Sequence, residues 1–286
     1  MKVLITGGSG LVGSELINQL VPNKHEVHYA SRNAGASGKG YFHRTDFLDG
    51  QSMQQLAEIR PDWIIHAAAE TNVDRCEDIP EQAKKLHVDT TFALKKMFPA
   101  AKFAYLSTDY VFDGNAGPYR ETDTPNPLGV YAKTKFAGEA AMTSDDLVIR
   151  TTIVFGHHAR PNFVNWLDGK LSRGEPVNIV NDQWGSPTYA PHLARAIGYL
   201  LQENKGVFNV VGPEVMSRYD FAQRVAETLG LDGSLIKPVT SEGFMQKAPR
   251  PMHAGLRIDK LLNSGFVMPS LEEALRDYKK MRENTA

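Results

Sequence analysis

Cysteine is nearly missing from this 286-residue chain. Cys76 is the only one, so no intrachain disulfide can form, which fits a reducing compartment. A lone thiol in a helix or loop needs no catalytic role. Long apolar runs are missing too. The run at Val3-Leu4-Ile5 stops at Thr6 and Gly7, too early for a signal peptide or a membrane span, and Trp63–Ala69 is broken by His66. Neither sign of charge is in excess. The 32 Lys and Arg residues against 33 Asp and Glu give a formal net charge of −1, which excludes a general attraction to nucleic acid or to an anionic membrane. A local basic pocket for a phosphate stays open. No internal repeat, low-complexity tract or Gly/Ser-rich linker occurs. The expectation is a cytoplasmic protein with neither nucleic acid nor membrane as a partner.

What is present is 42% hydrophobic residues, enough for one large domain or two coupled ones. In the first half, short apolar runs alternate with amphipathic segments. Residues 3–6, 26–30, 63–67, 103–107 and 147–151 read as strands, and a further short strand precedes Asp46-Phe47. Residues 11–20, 51–59, 81–98 and 130–142 read as helices. This alternation predicts an α/β fold: a Rossmann-type, doubly wound parallel sheet covered on both faces. After about residue 152 the texture loosens. Helices are expected over 162–173, 191–202, 219–229 and 271–282, with strands over 177–180 and 207–211. The expected division is a dinucleotide-binding domain over 1–152 and a smaller substrate lobe over 153–286, some segments of which return to the first domain. A lobe at the carboxyl ends of the strands would complete a ligand crevice.

The first strand runs into Gly7-Gly8-Ser9-Gly10-Leu11-Val12-Gly13. Gly7 permits a tight turn, Gly10 lets backbone approach a pyrophosphate, and Gly13 lets the helix lie close on the sheet. With Leu11 and Val12 they open a helix whose free N–H groups point at an anion. Glycine spacing alone is weak evidence; the strand before it and the apolar helix after it are the context it needs. The acidic residue that selects NAD at the end of the second strand is absent. Tyr29-Ala30-Ser31-Arg32 stands there, so Arg32 and Ser31 are expected to hold a 2′-phosphate, which favours NADP over NAD. Asp46 could accept from an adenine amino group beside Phe47; a plain loop aspartate reads equally well.

Of ten tyrosines only Tyr131 has a lysine four places on, Lys135, which puts both side chains on one helical face. A phenol titrates near 10, and an ammonium beside it would favour the phenolate, making Tyr131 a proton donor or acceptor at a carbonyl. Alone, the pair would read as an exposed helical contact. It is not alone: Ser107-Thr108-Asp109 closes an apolar strand on the cofactor side, where a hydroxyl can hold a substrate oxygen.

Taken with Ser107-Thr108-Asp109-Tyr110-Val111-Phe112, Tyr131–Lys135 with Gly138-Glu139, Asp182-Gln183-Trp184-Gly185-Ser186-Pro187-Thr188, Arg250-Pro251 and Ala67–Asp74, the chain resembles the extended short-chain dehydrogenases. Within them it is similar to the dTDP-4-dehydrorhamnose reductases, over nearly its whole length. The resemblance implies NADPH-dependent reduction of the 4-keto group of a nucleotide-diphosphate sugar. It implies Thr108, Tyr131 and Lys135 as catalytic residues, with Ala68, Ala69 and Thr71 along the cofactor. Asp109 and Ile153 are expected at the substrate, and the C-terminal lobe is expected to grip the nucleotide sugar through the Asn162 region, the Asp182–Thr188 segment and Arg250, which could pair with a diphosphate; a salt-bridged structural arginine reads nearly as well. Two departures bear on the sugar. Arg150-Thr151-Thr152-Ile153 carries Ile153 where the family has a tryptophan, and Ala69-Glu70-Thr71 replaces Ala-His-Thr. Glu15 matches a glutamate that binds magnesium in some members, but partner carboxylates are missing and His157-His158 lacks a third ligand, so no metal is expected. Other readings stay open. One is a sugar-nucleotide epimerase or dehydratase on the same scaffold. Asp109-Tyr110 after Thr108, in place of the dehydratases' Asp-Glu, argues against a dehydratase. The other is an NADP-binding partner protein like the regulatory subunit of methionine adenosyltransferase. Monomer and homodimer are both open.

Overall fold

The structure, a computed structural model, describes residues 1–35, 38–243 and 246–284. Its frame is a seven-stranded sheet built from β1 (Lys2–Thr6), β2 (Glu26–Ser31), β3 (Tyr41–Arg44), β4 (Trp63–His66), β5 (Lys102–Thr108), β6 (Leu147–Thr151) and the strand Gly206–Asn209. The order across the sheet is β3-β2-β1-β4-β5-β6 and then Gly206–Asn209, and every neighbouring pair is parallel. The chain grows outward from β1 one way and from β4 the other, so the switch of direction opens a crevice at their carboxyl ends. In register, Thr6 lies beside Ala30 and His66, and Thr108 beside Thr151, so these residues stand along one rim.

The strands read as near-continuous apolar runs because both faces are covered. Leu16, Ile17, Val27, Ile65, Leu106 and Ile149 belong to one core, and Leu4, Leu56, Ile64, Leu94 and Phe103 to the other. A third core, around Phe155, Leu167, Phe221, Leu275 and Tyr278, belongs to a smaller lobe.

Two segments expected in that lobe lie elsewhere. The strand expected over 207–211 is the seventh strand of the main sheet, paired to β6. The helix Ala190–Leu200 packs on the helix Leu11–Leu20, where Gly198 permits close approach to Leu20. An apolar run identifies a buried strand but not the edge it extends. The helix expected over 81–98 is also interrupted. It runs as Pro80–Lys84, a π-helical turn Lys85–Asp89, and Thr90–Met97. The wider turn frees carbonyls, and threonines answer them: Thr90 Oγ1 donates to Lys85 O at 3.0 Å and Thr91 Oγ1 to His87 O at 2.7 Å. Residues 51–59 likewise tighten from Gly50–Gln54 into a 3-10 turn, Gln55–Glu58.

Candidate active site

The glycine loop has the shape that its spacing implies. Gly7 takes φ +71°, and a Cβ there would press on the Ala68 backbone at 2.8 Å. A Cβ at Gly13 would run into the Gly7 carbonyl. Gly10 caps the helix Leu11–Leu20 without a side-chain hydrogen bond, so the first N–H groups, including those of Leu11 and Val12, are left for an anion. Ala68 is buried against the loop, Ala69 is half-buried and Thr71 is exposed.

Beyond β2 and β3 a cavity of about 630 Å³ is lined by Arg32, Asn33, Arg44, Thr45, Asp46 and Ser52. Arg32 thus has a second arginine opposite it. Sequence reasoning missed Arg44 because β3 is short and largely exposed, and only the pairing of Ser31 with Arg44 brings it here. Ser31 itself is buried and donates to Asn33 O at 2.7 Å. Asp46 Oδ1 accepts from Leu48 N at 3.0 Å, the plain turn-aspartate arrangement, yet the side chain still faces the cavity. Phe47 is 7% exposed and belongs to the core, so it offers an adenine an edge at most.

Tyr131 and Lys135 lie one turn apart on the helix Val130–Glu139, at the rim of β5. The Tyr131 hydroxyl is within hydrogen-bonding reach of Thr108, and desolvation pushes its pKa well above the ordinary phenol range. The expected lowering by Lys135 is therefore not what governs Tyr131. Burial instead lowers Lys135 itself to about 7, opposed by Glu139, and its Nζ stands 4.1 Å over the Tyr105 ring. Asp109 is 1% exposed, and Thr108 Oγ1 donates to it at 3.1 Å. Desolvation raises its carboxyl to about 7. Thr152 lies within its reach as well.

Sequence reasoning also missed the surroundings of this pair. His87, turned inward by the π turn, accepts from Glu70 N at 3.0 Å through Nε2. Its Nδ1 lies 2.8 Å from Thr134 Oγ1, and its ring stands edge-on to Tyr131 at 5.8 Å. It ties the segment flanking the glycine loop to the Tyr131 helix. His87→Leu removes both contacts, leaving Glu70 N–H and Thr134 with lost partners. We expect a destabilisation of about 1–3 kcal/mol, read by urea denaturation. Ser107 Oγ donates to Glu139 at 2.5 Å, and Glu139 is clamped by Arg150 at 2.7 and 3.1 Å. The motif glutamate thereby fixes the far end of the helix to β5 and β6. His66, fully buried, pairs through Nδ1 with Thr6 Oγ1 at 2.6 Å and leaves Nε2 unpartnered.

The residues expected at the substrate are more dispersed. Ile153 takes φ +44°, a strained setting for a β-branched residue, and its side chain fills the space that a Cβ on Gly185 would need. Asn162 spends its side chain capping the helix Phe163–Ser172 and donating to Gly156 O at 2.8 Å, so it is a helix cap. Arg250 is held by a two-pronged ion pair with Asp74 at 2.9 and 3.0 Å and also reaches the Tyr110 hydroxyl. Among the described residues no cluster of three or more His, Cys, Asp or Glu is arranged to hold a metal, and no helix is long and apolar enough to cross a membrane.

Residues 1–283 match the family described as RmlD substrate binding domain. The chain is 32% identical to the spore coat polysaccharide biosynthesis protein SpsK of Bacillus subtilis, over 99% of this chain and 98% of that protein. It is also 32% identical to methionine adenosyltransferase 2 subunit beta of Bos taurus, over 93% of this chain and 83% of that one. The crystal structure of dTDP-4-dehydrorhamnose reductase from Bacillus anthracis in complex with NADP superposes with a TM-score of 0.87 at 29% identity, covering 97% of this chain and 98% of that one.

Proposed function

The chain belongs to the RmlD substrate binding domain family, and from that premise we propose that it is an NADP(H)-dependent oxidoreductase that reduces the 4-keto group of a nucleotide-diphosphate sugar. The observation that carries this reading is the half-buried Tyr131 phenol within reach of Thr108, at the same strand-end rim as the glycine loop. The sheet-bearing part holds the dinucleotide, and the smaller lobe closes over the sugar.

NADPH, when bound, supplies the hydride that the sugar C4 receives. The glycine loop and the free N–H groups of the helix Leu11–Leu20 hold its pyrophosphate, with Ala68, Ala69 and Thr71 alongside. Thr108 positions the carbonyl oxygen. Tyr131 donates its phenolic proton to that oxygen as C4 gains the hydride, leaving an alcohol and a phenolate that Lys135 stabilises. A phenol is protonated at neutral pH, and desolvation of Tyr131 raises its pKa further, so it carries the proton that reduction consumes. Asp109 and Glu139 act through Thr108 and the helix, as positioning residues.

Arg32 and Arg44 together would select the 2′-phosphate. Arg32→Ala and Arg44→Ala are each expected to weaken NADPH binding about tenfold while leaving NADH unchanged, since a charge-assisted bond is worth about 1.5–3 kcal/mol. Calorimetric titration of both cofactors reads this, and equal losses for both would remove the role.

The deciding experiment is NADPH oxidation by the purified protein given dTDP-4-dehydrorhamnose and other 4-keto nucleotide sugars. Turnover supports the reductase. Tight NADPH binding with no turnover across the set would favour the partner-protein reading, which the likeness to methionine adenosyltransferase 2 subunit beta keeps in view.

A further inference from the structure

The π turn Lys85–Asp89 presents both the backbone and the side chain of His87 to the helix Val130–Glu139. The His87 carbonyl accepts from Thr91 Oγ1 at 2.7 Å and from the Tyr105 hydroxyl at 3.4 Å. Gly138 lies against both groups. A Cβ there would overlap the Tyr105 hydroxyl and the His87 carbonyl, so its absence lets the helix settle onto them. One turn earlier, Thr134 Oγ1 meets His87 Nδ1 at 2.8 Å. Thr134 and Gly138 share a helical face, so His87 engages the helix at two points, and its ring stands edge-on to Tyr131 at 5.8 Å.

The hydrogen bonds fix the tautomer. His87 Nε2 accepts from Glu70 N at 3.0 Å and so carries no proton. Thr134 Oγ1 donates to Val130 O at 2.8 Å and therefore accepts from His87 Nδ1–H. An imidazolium could not accept from Glu70, and burial holds the ring at about 3, which keeps it neutral. On the far side of this bond, the chain around Glu70 is fastened to the end of β1. Ala67 N donates to Thr6 O at 3.3 Å, and Ala68 N to Thr6 Oγ1 at 3.2 Å. One imidazole thus spans from the segment beside the glycine loop to the helix that carries Tyr131.

We infer that His87 is a positioning residue for the reduction: acting through Glu70 N–H and Thr134, it sets the spacing between the bound dinucleotide and the Tyr131 phenol. The inference rests on the reductase reading and deepens it. Reduction places a hydride on C4 and a proton on the oxygen bonded to it. The hydride comes from a cofactor lying along Ala68, Ala69 and Thr71, and the proton from Tyr131, so the two donors must keep one separation. A drift of about 1 Å in such a spacing costs about 10²-fold in rate. An imidazole that only filled space would set stability and leave the rate of the folded protein alone.

The test measures single-turnover NADPH oxidation with a saturating 4-keto nucleotide sugar in wild type, His87→Leu, Thr134→Val and the double variant, well below the unfolding midpoint of each. Thr134→Val keeps the side-chain shape and cuts the tie from its other end, so it decides the matter if His87→Leu does not fold. Each single variant should lose about 10–100-fold in rate, with KM for the nucleotide sugar near wild type. The double variant should be no slower than the slower single one, because both remove the same tie. A wild-type rate in folded Thr134→Val, or losses that multiply in the double variant, would overturn the inference and leave the reductase reading standing. Nitrogen NMR on isotope-labelled histidine reads the tie without turnover. The neutral Nδ1–H tautomer is expected, with an Nδ1–H resonance that NADPH shifts in wild type and that Thr134→Val abolishes. An Nε2–H tautomer, or a resonance indifferent to NADPH, would also overturn it. A protein inert towards every 4-keto nucleotide sugar whose resonance still answers NADPH would remove the reductase reading, while the tie between the cofactor segment and the helix stands.

Discussion

Tyr131→Phe is expected to lower turnover by about 10²–10⁴-fold, the usual contribution of a positioned general acid, while NADPH still binds. The substitution deletes one hydroxyl from a side chain whose ring packs edge-on against both His87 and Tyr110, so the shape of the site survives. Thr108 keeps its bond to Asp109 and its place at the end of β5, from which its hydroxyl can turn to the carbonyl oxygen. What vanishes is the proton that the phenol carries. Single-turnover kinetics with bound NADPH reads the chemical step directly. Wild-type rates there, with chemistry limiting, would remove Tyr131 from the mechanism.

Lys135→Met should have the second largest effect, with opposite signs for activity and stability. Turnover should fall at least as far as in Tyr131→Phe, because in the proposed mechanism the lysine stabilises the phenolate, and a lysine that also holds the nicotinamide ribose should lower NADPH affinity as well. The apo protein should nonetheless become more stable at pH 7. Burial depresses the Lys135 pKa from 10.5 to about 7, so between these values the unfolded chain carries a proton that the folded chain does not. The penalty is absent above about 10.5, grows as pH falls towards 7, and is fully present below that. Methionine fills similar space without the charge. The net gain is expected on the order of 1–2 kcal/mol, after loss of the contact over Tyr105. Thermal unfolding from pH 6 to 10 should show wild-type stability rising relative to the variant. Parallel curves would mean that Lys135 is not strained by its burial.

Histidines add little to that profile from the same site. Burial holds His66 and His87 at about 3 in the folded protein, so their contribution to the slope lies where the unfolded imidazoles titrate, around pH 6.5 and below. Of these three neighbours only Lys135 then shapes the slope above about pH 8.

Much of this was legible in the chain itself. A strand, a glycine turn and an apolar helix within the first twenty residues carry a dinucleotide loop by local geometry alone, because φ +71° at Gly7 and the missing Cβ at Gly13 are properties of those positions. The Tyr131–Lys135 spacing likewise follows from helical pitch. Alternating strands and helices were enough for the parallel sheet, since crossovers of that length leave few other arrangements.

What only the tertiary structure decided is which side chains meet and in what electrostatic state. Arg44 and Arg32 line one cavity because β3 pairs beside β2, and Arg250 pairs with Asp74 across more than a hundred residues of chain. His87 points at the Tyr131 helix because one π turn rotates it inward, which no apolar period announces. Asn162 and Asp109 have side chains suited to a ligand, but the fold engages them in a helix cap and in a bond from Thr108. Spacing along a chain sets local geometry, but desolvation and partner choice depend on everything packed around a group. The sequence by itself therefore determined the glycine loop, the sheet and the spacing of Tyr131 and Lys135 on one helical face, while packing alone decided that the tyrosine becomes a weaker acid and that the lysine loses its proton near neutrality.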